Sequence, residues 1–182
     1  MDFAQLRDAD LGVLNDVAES WSAVSTRLSD LQSDHASAAY LFENGAWTSG
    51  STGDAIARFD QLGKQLEKGR IEAKAIRDLV VEASASFTKI RAKLSTVLDE
   101  ISEIPELAVD DSGTVSITKL ANPGGIPFLT DVWQVQRSAY QTKITQILAE
   151  ATDVDASIAQ ALALAAATGE STNRGFNGDA SA

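Results

Sequence analysis

The side chains in this sequence that could support catalysis or bind a metal are few. His35 is the only histidine among 182 residues, and the chain contains no cysteine. A Ser–His–Asp triad needs a histidine beside an activated serine, yet the chain has no G-x-S-x-G sequence to present one. The lack of cysteine excludes disulfides, iron–sulfur clusters and thiolate metal sites. We therefore expect no enzymatic activity, no cofactor and no metal site, and a structural role for His35.

A second candidate for chemistry is the acidic pair Asp110–Asp111, which is followed by Ser112 and Gly113. Adjacent residues on a strand point to opposite faces, so two carboxylates placed there do not converge on one cation. The sequence Asp-Asp-Ser-Gly is typical of a tight turn. We predict that Asp110, Asp111 and Gly113 form the turn of a β-hairpin, with weak calcium binding as the less favoured alternative.

The charge of the chain argues against two further classes of partner. The sequence has 26 acidic and 15 basic residues, which gives a formal net charge of −11. A surface of this sign repels the phosphate backbone of nucleic acids and the headgroups of anionic membranes. The most apolar late run, residues 156–167, contains Ser157 and Gln160 and is shorter than the roughly 20 apolar residues of a membrane span. We expect neither a nucleic-acid partner nor membrane insertion.

Long amphipathic helices are the elements that must position these side chains. In the first segment, apolar residues follow one another at alternating gaps of three and four, which is the spacing of a coiled-coil seam. The seam of this segment consists of Leu14, Val17, Trp21, Val24, Leu28 and Leu31. The same spacing runs from Phe59 to Ile104, interrupted only by Gly69, and it returns from Tyr140 to Ala165.

This pattern predicts an all-α fold, an elongated antiparallel bundle of three long helices with a short β-hairpin. The predicted helices cover residues 1–43, 54–104 and 128–167, and the predicted hairpin covers residues 107–118. We expect residues 1–168 to form a single helical domain. The remaining residues, 169–182, have the composition of a flexible tail.

The turn between the first two predicted helices, residues 44–53, places Trp47 among Gly, Ser, Thr and Asn. Glycine and serine allow a sharp reversal of the chain, so the two helices are expected to form an antiparallel hairpin. A large apolar side chain in such a turn has two interpretations. Either Trp47 caps the open end of the hairpin core, or Trp47, Gly50 and Gly53 form a recognition surface.

The sequence Trp47-Thr-Ser-Gly50 and the following residues 54–59 resemble the WXG100, or ESX-type, family of small helical proteins. The sequence VDDSGTV and the stretch 151–162 are similar to longer actinobacterial relatives, in which a helical region precedes a hydrolase or toxin domain. Two features depart from the family pattern. The Trp-x-x-Gly spacing is one residue longer than Trp-x-Gly, and neither tyrosine begins the Tyr-x-x-x-Asp/Glu export signal.

The resemblance implies a protein that a type VII secretion system exports without a signal peptide. Such a protein is cytoplasmic before export, and it is secreted or held at the cell surface afterwards. Its partner is a WXG100-like protein or the secretion machinery, and one member of a heterodimer can supply the export signal for both. The heptad seam fits a second hypothesis equally well, a structural or scaffolding coiled-coil protein (a phage or cytoplasmic assembly component) that associates with itself.

Overall fold

The computed structural model describes residues 1–41, 52–118 and 127–177. The helices are α1 (Phe3–Asp8), α2 (Gly12–Leu41), α3 (Thr52–Ser102) and α4 (Pro127–Asn177), and the strands are β1 (Leu107–Val109) and β2 (Val115–Ile117). Within the described residues, the chain is mostly helical and carries one small antiparallel sheet. The sequence predicts both features, and the structure confirms them.

The first predicted helix, over residues 1–43, is divided into α1 and α2. The side chain of Asp2 accepts a hydrogen bond from the backbone N–H of Gln5, and the side chain of Gln5 accepts one from the N–H of Asp2, so α1 begins with a capping box. The backbone is extended at Ala9, where ψ is 130°. The side chain of Asp10 then accepts a hydrogen bond from the N–H of Gly12 and caps α2. The seam pattern missed this break because it begins only at Leu14.

Helix α4 extends beyond its predicted end at residue 167 and reaches Asn177, so residues 169–177 are helical where a flexible tail was predicted. No proline follows Pro127 in the sequence. A helix that has already nucleated adds each further residue at small cost. Gly169 and Gly175 each weaken the helix by about 1 kcal/mol relative to alanine, but glycine lacks the steric clash with which proline ends a helix.

The contacts of the chain group into two compact units. Unit 1 contains Met1–Gly12 and Glu82–Ala161, and unit 2 contains Val13–Val81 and Leu162–Ala182. Helices α3 and α4 therefore contribute to both units. The single helical domain over residues 1–168 stays a prediction, and each unit is described below by itself.

In unit 1, α3 and α4 run antiparallel. Nζ of Lys93 lies 2.7 Å from Glu150, and Nζ of Lys143 lies 2.8 Å from Glu100, so later residues of α3 pair with earlier residues of α4. Both ion pairs are exposed, and exposed pairs contribute at most about 1 kcal/mol each. The stability of unit 1 therefore depends on its buried apolar side chains. These are Phe3 and Leu6 of α1, Ala83, Phe87, Ile90, Leu94, Val97 and Ile101 of α3, Leu107 and Val115 of the sheet, and Ile144, Ile147 and Ala151 of α4.

The β-hairpin forms at its predicted position and is held by α4. Strands β1 and β2 pair antiparallel, with Val109 opposite Val115. An isolated two-stranded sheet is marginal in water, so this one needs support from the helices. Gln141 Oε1 accepts a hydrogen bond of 2.8 Å from the N–H of Val115, and Arg137 Nε donates one of 2.8 Å to the carbonyl oxygen of Val115. The N–H and the carbonyl group of this buried residue thus both bond to side chains of α4.

In unit 2, α2 and α3 pack antiparallel. The ring of His35 stacks on that of Phe59 with centroids 4.5 Å apart, and Nε2 of His35 lies 2.7 Å from the carbonyl oxygen of Phe59. Leu28, which precedes His35 on α2, lies against Gly69, which follows Phe59 on α3. This reversed order defines the antiparallel packing. His35 therefore joins two helices, which is a structural role.

Replacing Gly63 with alanine should destabilise the protein by about 1–2 kcal/mol, whereas Gly69→Ala should be neutral or stabilising. A Cβ atom at residue 63 would lie 2.9 Å from Cε1 of His35, and stacking on Phe59 keeps this ring in place. A Cβ atom at residue 69 would lie 3.5 Å from Leu28, which is an ordinary contact. Urea unfolding of both variants measures the two free energies. Equal effects of the two substitutions would contradict the close approach of His35 to α3.

Candidate functional site

The predicted recognition turn lies largely outside the residues that the structure describes. Trp47 and Gly50 belong to the segment 42–51 and stay predictions. Gly53 lies in the first turn of α3, and a Cβ atom placed there would meet no atom of the described residues within 4 Å.

The predicted hairpin turn is present, and Asp110 organises it. Oδ1 of Asp110 accepts hydrogen bonds from the N–H of Ser112 at 2.9 Å, the hydroxyl of Ser112 at 2.6 Å and the N–H of Thr114 at 3.0 Å. The Ser112 hydroxyl and the Thr114 N–H are the main causes that hold the pKa of Asp110 below its usual value. This carboxylate serves the backbone of its own turn. Among the residues described, no group of three or more His, Asp or Glu side chains is placed to hold a metal ion.

The other two predicted turn residues connect the hairpin to α1. Oδ1 of Asp111 lies 3.2 Å from the guanidinium of Arg7. Gly113 has φ +81°, a conformation that costs a residue with a side chain about 1–2 kcal/mol. A Cβ atom on Gly113 would also lie 2.5 Å from Cδ2 of Phe3, because the phenylalanine ring covers the turn. Asp111 and Gly113 therefore connect α1 to the turn that Asp110 organises.

Unit 2 contains a more open surface, an apolar groove of about 530 Å³ between α2 and α3. The groove is lined by Val17, Trp21, Val24 and Leu28 of α2, by Gly69, Glu72, Ala73, Ile76 and Val80 of α3, and by Leu162 of α4. Glu72 is the only charged residue among them. We call this surface the apolar groove. Apart from Glu72, its lining is mostly apolar, so its chemistry suits an apolar group.

One edge of the apolar groove is a row of residues spaced seven apart on α2. Val17 is 37% exposed and Val24 is 42% exposed, and Leu31, which continues the row beyond the groove, is 51% exposed. The alternate seam residues Trp21 and Leu28 are more covered than these three. The heptad seam of α2 therefore has one row packed in unit 2 and one row accessible. Apolar side chains at this spacing fit the knobs-into-holes packing of a partner helix.

A second, polar surface of unit 2 offers no comparable site. It is lined by Ser22, Ser25, Thr26, Ser29, Asp30, Arg70, Lys74 and Arg77. Its cations are already paired, because Arg70 bonds to Glu67, while Lys74 and Arg77 both lie against Asp78. The hydrogen bond from Arg77 is the largest cause that lowers the pKa of Asp78. This surface therefore has little free positive charge to offer an acidic ligand.

The docking of α1 onto the hairpin turn was missed by the sequence analysis. One local signal was available, since Asp2 and Gln5 have the spacing of a capping box. That signal locates the start of a helix but says nothing of what the helix contacts. Phe3 and Gly113 are far apart in the chain, and no spacing rule relates them.

The chain matches no protein-family model, and it has no significant match among curated proteins or solved structures. The WXG100 resemblance is thus neither supported nor contradicted by known proteins. None of the helices, in the parts described, has the length and hydropathy needed to cross a membrane.

Substituting Gly113 with alanine should destabilise the protein by about 2–4 kcal/mol, because the side chain would combine a strained backbone with a clash against Phe3. Gly53→Ala is the matched control, since a Cβ atom at residue 53 would meet none of the described residues within 4 Å. It should change stability by less than about 1 kcal/mol. Thermal and urea unfolding give both values. A mild effect of Gly113→Ala would mean that Phe3 does not pack on this turn.

The pH dependence of stability should include a contribution from Asp110. Because its pKa is lower in the folded chain than the value near 4 of an unfolded aspartate, its stabilising effect is complete above about pH 4. The effect is lost as pH falls through the folded-state pKa. Asp110→Asn keeps an accepting oxygen but does not titrate, so its unfolding midpoint should fall less than that of the wild type on acidification. Parallel curves for the two proteins would contradict this role of the carboxylate.

Proposed function

We propose that this chain is a non-enzymatic helical domain of WXG100 type, which a type VII secretion system recognises through its α2–α3 hairpin and exports. The observation that carries the proposal is the apolar groove, whose edge row on α2 is accessible at Val17 and Val24. A partner that places apolar side chains in this groove would remove them and the groove lining from water. Such burial is the main source of affinity between helical proteins.

The packing of the helices supports this reading of the hairpin. Helices α2 and α3 flank the segment that contains Trp47-Thr-Ser-Gly50, and they pack antiparallel within unit 2. Helices α3 and α4 pack antiparallel within unit 1. We infer that α2, α3 and α4 together form the antiparallel three-helix bundle that the sequence predicts, with the Trp47 turn as part of the recognition surface.

The proposed partner is a WXG100-like protein or a component of the secretion machinery that contributes a helix. The net charge of −11 disfavours nucleic acid as an alternative partner. The chain would be cytoplasmic until it is recognised, and secreted or held at the cell surface after export. Since the sequence has no Tyr-x-x-x-Asp/Glu signal, we propose that the partner supplies it.

A second candidate function is supported by the accessible heptad row of Val17, Val24 and Leu31. Rows at this spacing also join identical helices in homo-oligomeric coiled coils. In this alternative the chain is a scaffolding protein, and the apolar groove is an interface between its own copies. The two functions differ in what occupies the same surface, so one set of variants tests both.

The double variant Val24→Asp/Leu31→Asp should reduce partner binding and export by about tenfold or more, because association would bury two charges without partners. Both side chains are exposed at 42% and 51%, so the fold should lose less than about 1 kcal/mol. The measurement is the amount of tagged chain in the culture filtrate of an actinobacterial host, with and without its type VII secretion ATPase. Val135→Asp, at a 70% exposed site on α4 outside the groove, is the matched control.

Export that needs the ATPase and is lost only in the double variant supports the secretion function. A chain that stays in the cells under all conditions contradicts it. Multi-angle light scattering then decides on the scaffold function, because the chain has a mass of 19.2 kDa and an oligomer is easily distinguished. An oligomer that the double variant abolishes and the Val135→Asp control retains would establish self-association through the groove.

A further inference from the structure

Glu72 gives the apolar groove an acidic group among its apolar walls. The side chain of Glu72 is 31% exposed, so its carboxylate is accessible to a molecule that enters the groove. Nζ of Lys68 lies 3.7 Å from Oε1 of Glu72, which is longer than a hydrogen bond. The carboxylate can therefore still accept a hydrogen bond from a cation that arrives with the occupant of the groove.

Three cations of α3 in unit 2 lie on a different surface. Arg70, Lys74 and Arg77 line the polar surface described above and are not part of the groove lining. Each of them pairs with an acidic side chain of α3 other than Glu72. The positive charge of these residues is therefore directed away from the groove.

Helix α2, which forms the accessible edge of the groove, carries an excess of acidic residues. It contains Asp16, Glu19, Asp30 and Asp34, and Arg27 is its one lysine or arginine. Four acidic residues against one basic residue give α2 a formal charge of −3. All four carboxylate side chains belong to exposed residues. The apolar row of α2 is thus presented by a negatively charged helix.

This distribution of charge disfavours a second copy of the chain as the occupant of the groove. A symmetric contact through the groove would bring α2 of one copy to α2 and Glu72 of the other. Like charges that meet in an interface weaken it, and the formal charge of −11 makes two copies repel each other before they touch. The apolar walls require an apolar row in the occupant, and the acidic surroundings favour basic residues beside that row.

We propose that the apolar groove binds an amphipathic helix of another protein whose apolar row is flanked by lysine or arginine, one of which pairs with Glu72. The inference rests on the proposed function in taking the groove as the surface that binds a partner helix, and it adds the charge of that partner. The accessible row from Val17 to Leu31 is about 21 Å long at 1.5 Å per residue. The partner therefore contributes about four turns of helix.

The first test compares designed peptides of three heptads that differ only in charge. Both have leucine at the a and d positions, and either lysine or glutamate at every e and g position, so that like charges keep each peptide from pairing with itself. Fluorescence anisotropy measures their binding to the full wild-type chain at low salt. The lysine peptide should bind at least about tenfold more tightly than the glutamate peptide. A third peptide, residues 12–41 of this chain, represents a second copy and should bind at least about tenfold more weakly than the lysine peptide.

The second test separates the contact with Glu72 from the net charge of the chain. Glu72→Gln should weaken binding of the lysine peptide by about three- to tenfold, because it removes the paired carboxylate and keeps the shape of the side chain. Glu82→Gln is the matched control, since it removes the same charge at an exposed residue of α3 outside the groove lining. It should change the affinity by less than about twofold. Val17→Ser/Val24→Ser should weaken binding of both designed peptides, because both lie in the groove.

Circular dichroism first confirms that each variant is folded. If Glu72→Gln is not, Glu72→Lys against Glu82→Lys makes the same comparison, and Glu72→Lys should then reduce the preference for the lysine peptide more than its control does. A lysine peptide that does not bind, or that binds no more tightly than the glutamate peptide or the 12–41 peptide, overturns the proposal. Equal effects of the substitutions at residues 72 and 82 also overturn it, because net charge would then explain the preference.

These outcomes are distinguishable from a failure of the proposed function. That failure is the absence of ATPase-dependent export of the whole chain, which the peptides do not measure. A preference for the lysine peptide that requires Glu72 supports the inference whether or not the chain is exported. Export without such a preference supports the function and overturns the inference.

Discussion

The contact between Phe3 and Gly113 is the interaction on which the arrangement of unit 1 depends. The turn needs a left-handed backbone at Gly113, and the phenylalanine ring occupies the space in which a Cβ atom would lie. The carbonyl oxygen of the same glycine accepts a hydrogen bond of 3.2 Å from Gln141 of α4. One residue without a side chain thus lies between the N-terminal helix, the hairpin and α4. Its replacement would disturb three elements at once, although its neighbours Ser112 and Thr114 are exposed.

Features set by neighbouring residues were predictable from the sequence. The turn of the hairpin is the best case, because Asp110 bonds to Ser112 and Thr114 within the turn itself. Contacts between distant residues were not predictable. The docking of α1 on the turn depends on Phe3 meeting Gly113, and the presence of glycine at residue 63 is explained only by the ring of His35 on another helix. The periodicity of a helix identifies its apolar face, but it does not identify the neighbour that covers that face.

The candidate site illustrates the same limit. The seam of α2 predicts six equivalent apolar residues, since a repeat of 3.5 treats both of its rows alike. In the folded chain, Trp21 and Leu28 are the more covered row, and Val17 and Val24 form the accessible edge of the groove. Only the position of α3 distinguishes the two rows. The Trp47 turn, which suggested the function, lies outside the described residues.

The side chains with which α4 holds the hairpin have a further consequence for the solubility of the chain. Strands at the edge of a sheet can template the addition of strands from other molecules, and this is a common route to aggregation. The N–H and carbonyl groups of Val115 already bond to Gln141 and Arg137. A strand arriving from another molecule would have to displace both side chains before it could pair with β2 at this residue. Two polar residues of a helix therefore occupy the edge of β2 at Val115, where an added strand would pair.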